Sequence, residues 1–249
     1  MIACCKNFAS LHLMKKIRWG ILGTGRIARA FAEGLKNTSN GYLNAVGSRS
    51  EKSAHLFAKE WNIEHFFGSY IELAKSTSID AVYIATPHTE HNKNAIICLE
   101  HGKAVLCEKP FAVNASQVKQ MIQKAKEENM LLMEGMWSRF PPLMEKVRNI
   151  IANHEIGEIR TIHADFGFRP ETKNIEGRLF NPKLAGGSLL DVGIYPVSLS
   201  FMLNGKPDSF VTDWTIGETG VDEQASIIFK YLNGSMAVLH SSIQSDTGQ

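Results

Sequence analysis

Hydrophobic positions follow two different rhythms along this chain, and the place where the rhythm changes divides it. Between residues 17 and 136, short apolar runs alternate with stretches in which apolar residues return every three or four positions. The runs predict strands at 17–22, 42–47, 81–85, 103–107 and 131–136, with a further short apolar stretch at 61–67. The recurrences predict helices at 27–36, 53–60, 69–76, 90–101 and 116–128. The run Ala-Val-Tyr-Ile-Ala at 81–85 has no polar interruption, as expected of a strand covered on both faces. Strand and helix alternating in this way predict a doubly wound, parallel-sheet α/β domain that binds a nucleotide.

Past Trp137 the pattern changes. Pro141 and Pro142 open an amphipathic helix that ends near Asn153, with Leu143, Val147, Ile150 and Ile151 on its buried stripe. Residues 158–168 alternate as a strand, a polar loop runs to 183, and Gly186 and Gly187 precede an apolar helix at 188–203. Strands at 209–216, 225–231 and 235–241 follow, the last two joined by the hairpin pair Asn233-Gly234. This half therefore reads as an α+β domain with an open, mainly antiparallel sheet. The expected division is an extension at 1–14, read as disordered, a Rossmann domain at 15–138 and a substrate and oligomerisation domain at 139–249.

The first strand runs directly into Gly23-Thr24-Gly25-Arg26-Ile27-Ala28, the GxGxxA pattern. Gly23 permits a tight turn, Gly25 lets a pyrophosphate approach the backbone, and Ala28 lets the next helix pack closely on the strand. The N–H groups at the start of that helix favour an anion. Gly23, Thr24, Gly25, Arg26 and Ile27 are thus candidate cofactor contacts. The second strand ends in Ser48 and Arg49, where an NAD-preferring fold usually carries an acid. A hydroxyl followed by a guanidinium suits a 2′-phosphate, so NADP is favoured over NAD. Further candidates lie at the ends of later strands, where open α/β sheets bind ligands: Thr86, Pro87 and His91, then Glu108 and Lys109. Two histidines, His88 and His91, without a third ligand do not make a metal site, and no metal is expected.

Composition narrows the partners. Lys and Arg number 27 against 25 Asp and Glu, which gives no reason to expect nucleic acid or an anionic membrane. No unbroken apolar run is long enough to cross a bilayer. The four cysteines show neither paired metal-ligand spacing nor a disulfide framework, so a cytoplasmic location is the simplest reading.

Taken together, these motifs resemble the Gfo/Idh/MocA oxidoreductases, and within them the dihydrodiol and D-xylose dehydrogenase branch. The resemblance rests on GxGxxA, on Ser48-Arg49, on VYIATPHTEH at 82–91 and on EKP at 108–110. It continues through MEGMWSRF at 133–140, GGSLLDVGIYP at 186–196 and ETGVDE at 218–223. It implies hydride transfer between a nicotinamide and a carbinol carbon of a polyol, sugar or cyclic diol. Tyr195 is then the general acid/base, Lys109 lowers the phenol's proton affinity and binds the substrate oxygen, and Asp191, one turn before Tyr195 on the same helix face, orients the lysine or a substrate hydroxyl. Trp137 and Arg139 fall where the first domain hands over to the second and are assigned to the cofactor side. Phe140 and Phe166 are assigned to the substrate. Pro196 suggests a bend at Tyr195. The resemblance also raises a cis Lys109–Pro110 bond and a homodimer built through the second sheet, if that domain is complete. Its members continue beyond a position equivalent to Gln249, so a bare strand edge is expected, and a non-catalytic NADP-binding fragment or redox-sensing protein stays open as the alternative.

Overall fold

The computed structural model describes residues 16–248, and the 1–14 extension lies outside them. The chain divides into two compact units, Met1–Tyr83 and Ile84–Gln249. The first contains β1 (Ile17–Leu22), α1 (Arg26–Lys36), β2 (Gly41–Gly47), α2 (Glu51–Trp61), β3 (His65–Phe67) and α3 (Tyr70–Lys75). β4 (Ala81–Ile84) crosses the division. β1 pairs in parallel with β2, and β2 with β3. Ile21, Leu22, Ala28, Val46, Phe57 and Leu73 are buried at its core. Ser50 and Ser69 cap α2 and α3 with their side chains, whereas the start of α1 has no side-chain cap and no acidic residue in its first turn.

The second unit continues with α4 (His91–Glu100), β5 (Ala104–Glu108), α5 (Ala115–Glu127) and β6 (Leu132–Gly135), β5 and β6 being parallel. The strand order of this six-stranded sheet is β3-β2-β1-β4-β5-β6. Next come α6 (Pro142–Ala152), β7 (Thr161–Gly167), α7 (Ile194–Asn204), β8 (Ser209–Ile216), β9 (Asp222–Lys230) and β10 (Met236–Ser242). The fold is α/β, with a parallel Rossmann sheet and a second, mixed sheet, as the alternation of patterns predicts.

The second sheet has the order β7-β10-β9-β8. β8, β9 and β10 form antiparallel pairs, and β10 pairs in parallel with β7. β10 has a partner on both sides, so the bare edges are β7 and β8, and every residue of β8 is exposed. Ile162, Phe229, Tyr231, Ala237 and Leu239 form the core beneath this sheet, with Val197 and Leu203 of α7 packed against it.

Two local expectations are corrected. No residue of α6 is fully buried, and Leu143 is 68% exposed; the half-buried face carries the expected Val147, Ile150 and Ile151 together with Met144 and Arg148. The apolar stretch at 188–203 is not one regular helix: Leu189–Gly193 form a π-helical turn that leads into α7. Pro196 has no N–H to donate, and the irregularity lies in the wider turn before it instead of in a bend at Tyr195. The turn is anchored at its start, where the Asp222 carboxylate accepts hydrogen bonds from Ser188 Oγ and the Leu189 N–H. A side chain at Gly187, whose φ is +118°, would collide with the same carboxylate.

By length and composition alone, Pro182–Asn204 is apolar enough to cross a membrane, with mean hydropathy 1.3. It is broken into three pieces, and its final helix packs on the core of the second sheet.

Candidate active site

In the first unit, the glycine turn is shaped from the backbone. Gly23 has φ +101°, a conformation that excludes most side chains. Gly25 has an ordinary extended backbone, φ −78° and ψ −174°, and a Cβ there would meet nothing within 4 Å. Neither conformation nor packing inside the protein demands that glycine, so the open space belongs to whatever approaches from outside. Ala28 is fully buried, while Thr24, Arg26 and Ile27 are half-buried or exposed around the uncapped start of α1. At the end of β2, Ser48 is buried and its Oγ accepts the Ser50 N–H at 3.3 Å. Arg49 is exposed and holds no ion pair among the described residues. An uncapped helix start, a side-chain-free approach and an unengaged guanidinium fit the phosphates of a dinucleotide.

In the second unit, the residues after β4 are used internally. Thr86 is buried; its carbonyl faces His91 Nε2 at 3.0 Å and its hydroxyl accepts from Asn94 Nδ2 at 3.1 Å. His91 has no exposed surface, and its Nδ1 lies 2.8 Å from the Pro110 carbonyl. Burial lowers its proton affinity against the pull of the two carbonyls. The ring thus ties the Thr86 turn to the one after β5 and has no surface left for a ligand. Pro87 is exposed. His88 is pushed down to about 4, chiefly by burial and then by His91, and is neutral at physiological pH. Its Nδ1 is buried with no hydrogen-bond partner among the described residues.

Lys109, Asp191 and Tyr195 come together. The Lys109 ammonium donates to the Asp191 carbonyl at 2.7 Å, lies 3.5 Å from Asp191 Oδ1 and sits 4.8 Å from the centre of the Tyr195 ring. The Lys109–Pro110 bond is cis. Glu108 accepts the Lys109 backbone N–H through Oε2 at 3.2 Å. On the other side, Trp137 Nε1 donates to the Tyr195 hydroxyl at 3.1 Å, and the Phe166 ring lies 5.4 Å from that of Tyr195. The Asp191 carboxylate, only 7% exposed, also accepts from Arg178 Nη1.

Beside Tyr195 lies a cavity of about 490 Å³, whose wall includes Trp137, Arg139, Met144, Phe166, Leu199 and Met202. Arg148 stiffens that wall, donating from Nη1 to the Arg139 carbonyl at 2.6 Å and to Met202 Sδ at 3.5 Å. Phe140 is 60% exposed and is not part of the lining. The arrangement offers a phenol with a fixed hydroxyl, an adjacent ammonium and an apolar space beside them. That is the equipment for moving a proton to and from a substrate hydroxyl.

The family description "Oxidoreductase family, NAD-binding Rossmann fold" matches residues 17–136, and "GFO/IDH/MocA C-terminal domain" matches residues 144–249. The trans-1,2-dihydrobenzene-1,2-diol dehydrogenase of Mus musculus is 41% identical over 234 residues, which cover 92% of this chain and 69% of that protein. The chain belongs to the Gfo/Idh/MocA family of oxidoreductases. Among solved structures, the 3-ketoreductase KijD10 of Actinomadura kijaniata, in complex with NADP and TDP-benzene, is similar with TM-score 0.85 and 27% identity, over 94% of this chain and 72% of that one. The aldose-aldose oxidoreductase of Caulobacter crescentus shares the fold, with TM-score 0.87 over 93% of this chain and 72% of that one, at 24% identity.

Sequence reasoning about this oxidoreductase did not reach Arg178, Met144, Leu199 or Met202. Arg178 lies 13 positions before Asp191 in a polar loop, a separation with no periodicity to reveal it. The two methionines and the leucine carry the signature of ordinary core residues, and only the cavity distinguishes them.

Proposed function

We propose that this oxidoreductase is an NADP-dependent dehydrogenase that moves a hydride between the nicotinamide and a carbinol carbon of a cyclic trans-diol or sugar. The observation that carries this reading is the Lys109 ammonium set against the Tyr195 ring on the wall of the apolar cavity. In the oxidative direction Tyr195 accepts the substrate's hydroxyl proton as the hydride leaves the carbinol carbon and a carbonyl forms; in reduction it returns that proton. Lys109 favours negative charge on the phenol oxygen and offers an N–H to the substrate oxygen. Asp191 fixes the lysine, and Trp137 fixes the hydroxyl. Phe166, Met144 and Met202 exclude water and receive the hydrocarbon part of the substrate, which favours a cyclic diol over a fully hydroxylated sugar. Held by residues 23–27 and the start of α1, the dinucleotide would supply the hydride acceptor and donor.

Ser48 and Arg49 at the end of β2, with no acid there, support NADP over NAD. The NADP complex of KijD10 and the diol named for the mouse relative support the same choice of cofactor and substrate class. Residues 15–138 serve the cofactor and 139–249 the substrate in this reading, in a cytoplasmic enzyme. A homodimer through the second sheet is supported by the exposed Phe210, Val211, Trp214 and Ile216 of β8.

The test is NADPH formation, followed by absorbance, when the purified chain meets NADP or NAD and a panel of trans-dihydrodiols, pyranoses and inositols. Turnover that prefers NADP and a cyclic diol is expected. NADPH binding with no turnover of any alcohol would favour the non-catalytic alternative.

A further inference from the structure

The structure assigns Arg178 as a positioning residue that acts on Tyr195 through Asp191, an inference that rests on the acid/base reading of Tyr195. The loop carrying it is held at two other points. Phe180 is buried in a cluster with Val192 and Ile243, and Lys173 bridges to Glu223 at 2.8 Å and to Glu218 at 3.2 Å. Between these anchors, Arg178 donates from Nη1 to Asp191 Oδ1, the same oxygen that lies 3.5 Å from Lys109 Nζ. The guanidinium is 57% exposed, so burial does not explain its place.

The arithmetic of charge gives the consequence. Arg178, Lys109 and Asp191 together carry one net positive charge beside Tyr195. Without Arg178 the sum is zero, and the carboxylate is left to Lys109 alone, drawing the ammonium toward Oδ1 and away from the ring. Arg178 therefore occupies the carboxylate so that the lysine's charge is available to the phenol. The other groups around the cluster are the same with and without Arg178: Trp137 is a neutral donor, His88 is uncharged near neutral pH, the Glu108 carboxylate accepts the Lys109 backbone N–H, and Arg139 and Asp165 on the cavity wall carry opposite charges.

Arg178→Gln and Arg178→Lys in the full chain test this, each read in two ways. The first is the pH profile of kcat. Arg178→Gln should lose about tenfold at neutral pH and recover as pH rises, the equivalent of about one pH unit for one lost neighbouring charge. Arg178→Lys should restore most of the loss. The second reading needs no substrate: the tyrosinate absorbance that Tyr195→Phe removes should begin at higher pH in Arg178→Gln. In an Asp191→Asn background, Arg178→Gln should shift that onset much less, because its partner is gone. An unchanged onset in Arg178→Gln, with at most a lower melting temperature, would reduce Arg178 to a loop anchor and overturn the inference. An equal shift in the Asp191→Asn background would also overturn it, since Arg178 would then act independently of Asp191. If the wild-type protein turns over no alcohol, the dehydrogenase reading fails, while the absorbance onset still decides the role of Arg178.

Discussion

The glycine turn of the first unit and the Lys109–Asp191–Tyr195 cluster of the second offer a ligand different parts of the chain. The turn offers backbone: a positive φ at Gly23, open space at Gly25 and uncapped N–H groups on α1, all within a few residues. The cluster offers side chains and charge, assembled from residues 82 apart and held by the π-helical turn, β5 and the loop of Arg178. A backbone site carries its charge on N–H groups that no side-chain substitution removes, but it is intolerant of bulk. A side-chain cluster tolerates changes of shape around it but depends on every charge in it.

That contrast gives different expected responses. On the proposed role of Lys109 in favouring charge on the phenol oxygen, Lys109→Met should lower kcat by about a thousandfold, while NADPH binding measured by fluorescence stays close to wild type. Comparable loss of nucleotide binding would erase the distinction between the two regions. Gly25→Val should do the reverse. Its backbone angles suit a β-branched residue and nothing crowds the site, so melting temperature should hold while NADPH affinity falls about a hundredfold. A folded Gly25→Val protein with unchanged affinity would show that no ligand approaches there.

His88 sharpens the comparison on stability. Its proton affinity is lowered in the fold to about 4 from an unfolded value of 6.5. The unfolded state therefore binds the extra proton first, and stability falls as pH drops from about 6.5 toward 4, levelling below that. His88→Asn should remove about 2 kcal/mol of that acid loss, as read by urea denaturation at pH 7 and pH 4.5. An unaltered pH slope would mean another group titrates. Arg49→Ala is the smallest effect: NADP affinity should fall about tenfold and NAD affinity hardly at all, by titration calorimetry. Equal losses for both would remove the 2′-phosphate contact.

What could be read from the sequence follows the same line. The GxGxxA turn, the buried run at 81–85 and the Asn233-Gly234 hairpin are local, so their spacing carries their geometry. Asp191 and Tyr195 lie one helical turn apart, so their spacing puts them on one face, but nothing in the separation of Lys109 from them says that it meets them; that pairing comes through family resemblance. Pro196 signalled an irregularity, but whether the chain bends or widens into a π-helical turn depends on Asp222, Ser188 and the packing of β10, which are remote in sequence. His91 read as a cofactor contact because it follows a strand end; its ring is consumed by two carbonyls, one of them 19 residues away. β10 is an inner strand because β7 returns beside it, a long-range pairing that hairpin signals cannot express.

The central claim is that Tyr195 moves the proton in an NADP-linked oxidation, and the most direct measurement compares wild-type protein with Tyr195→Phe on the best alcohol substrate. The account predicts that turnover falls by at least about a thousandfold while NADPH binding and melting temperature stay within error of wild type. Turnover that survives the loss of the hydroxyl would contradict it.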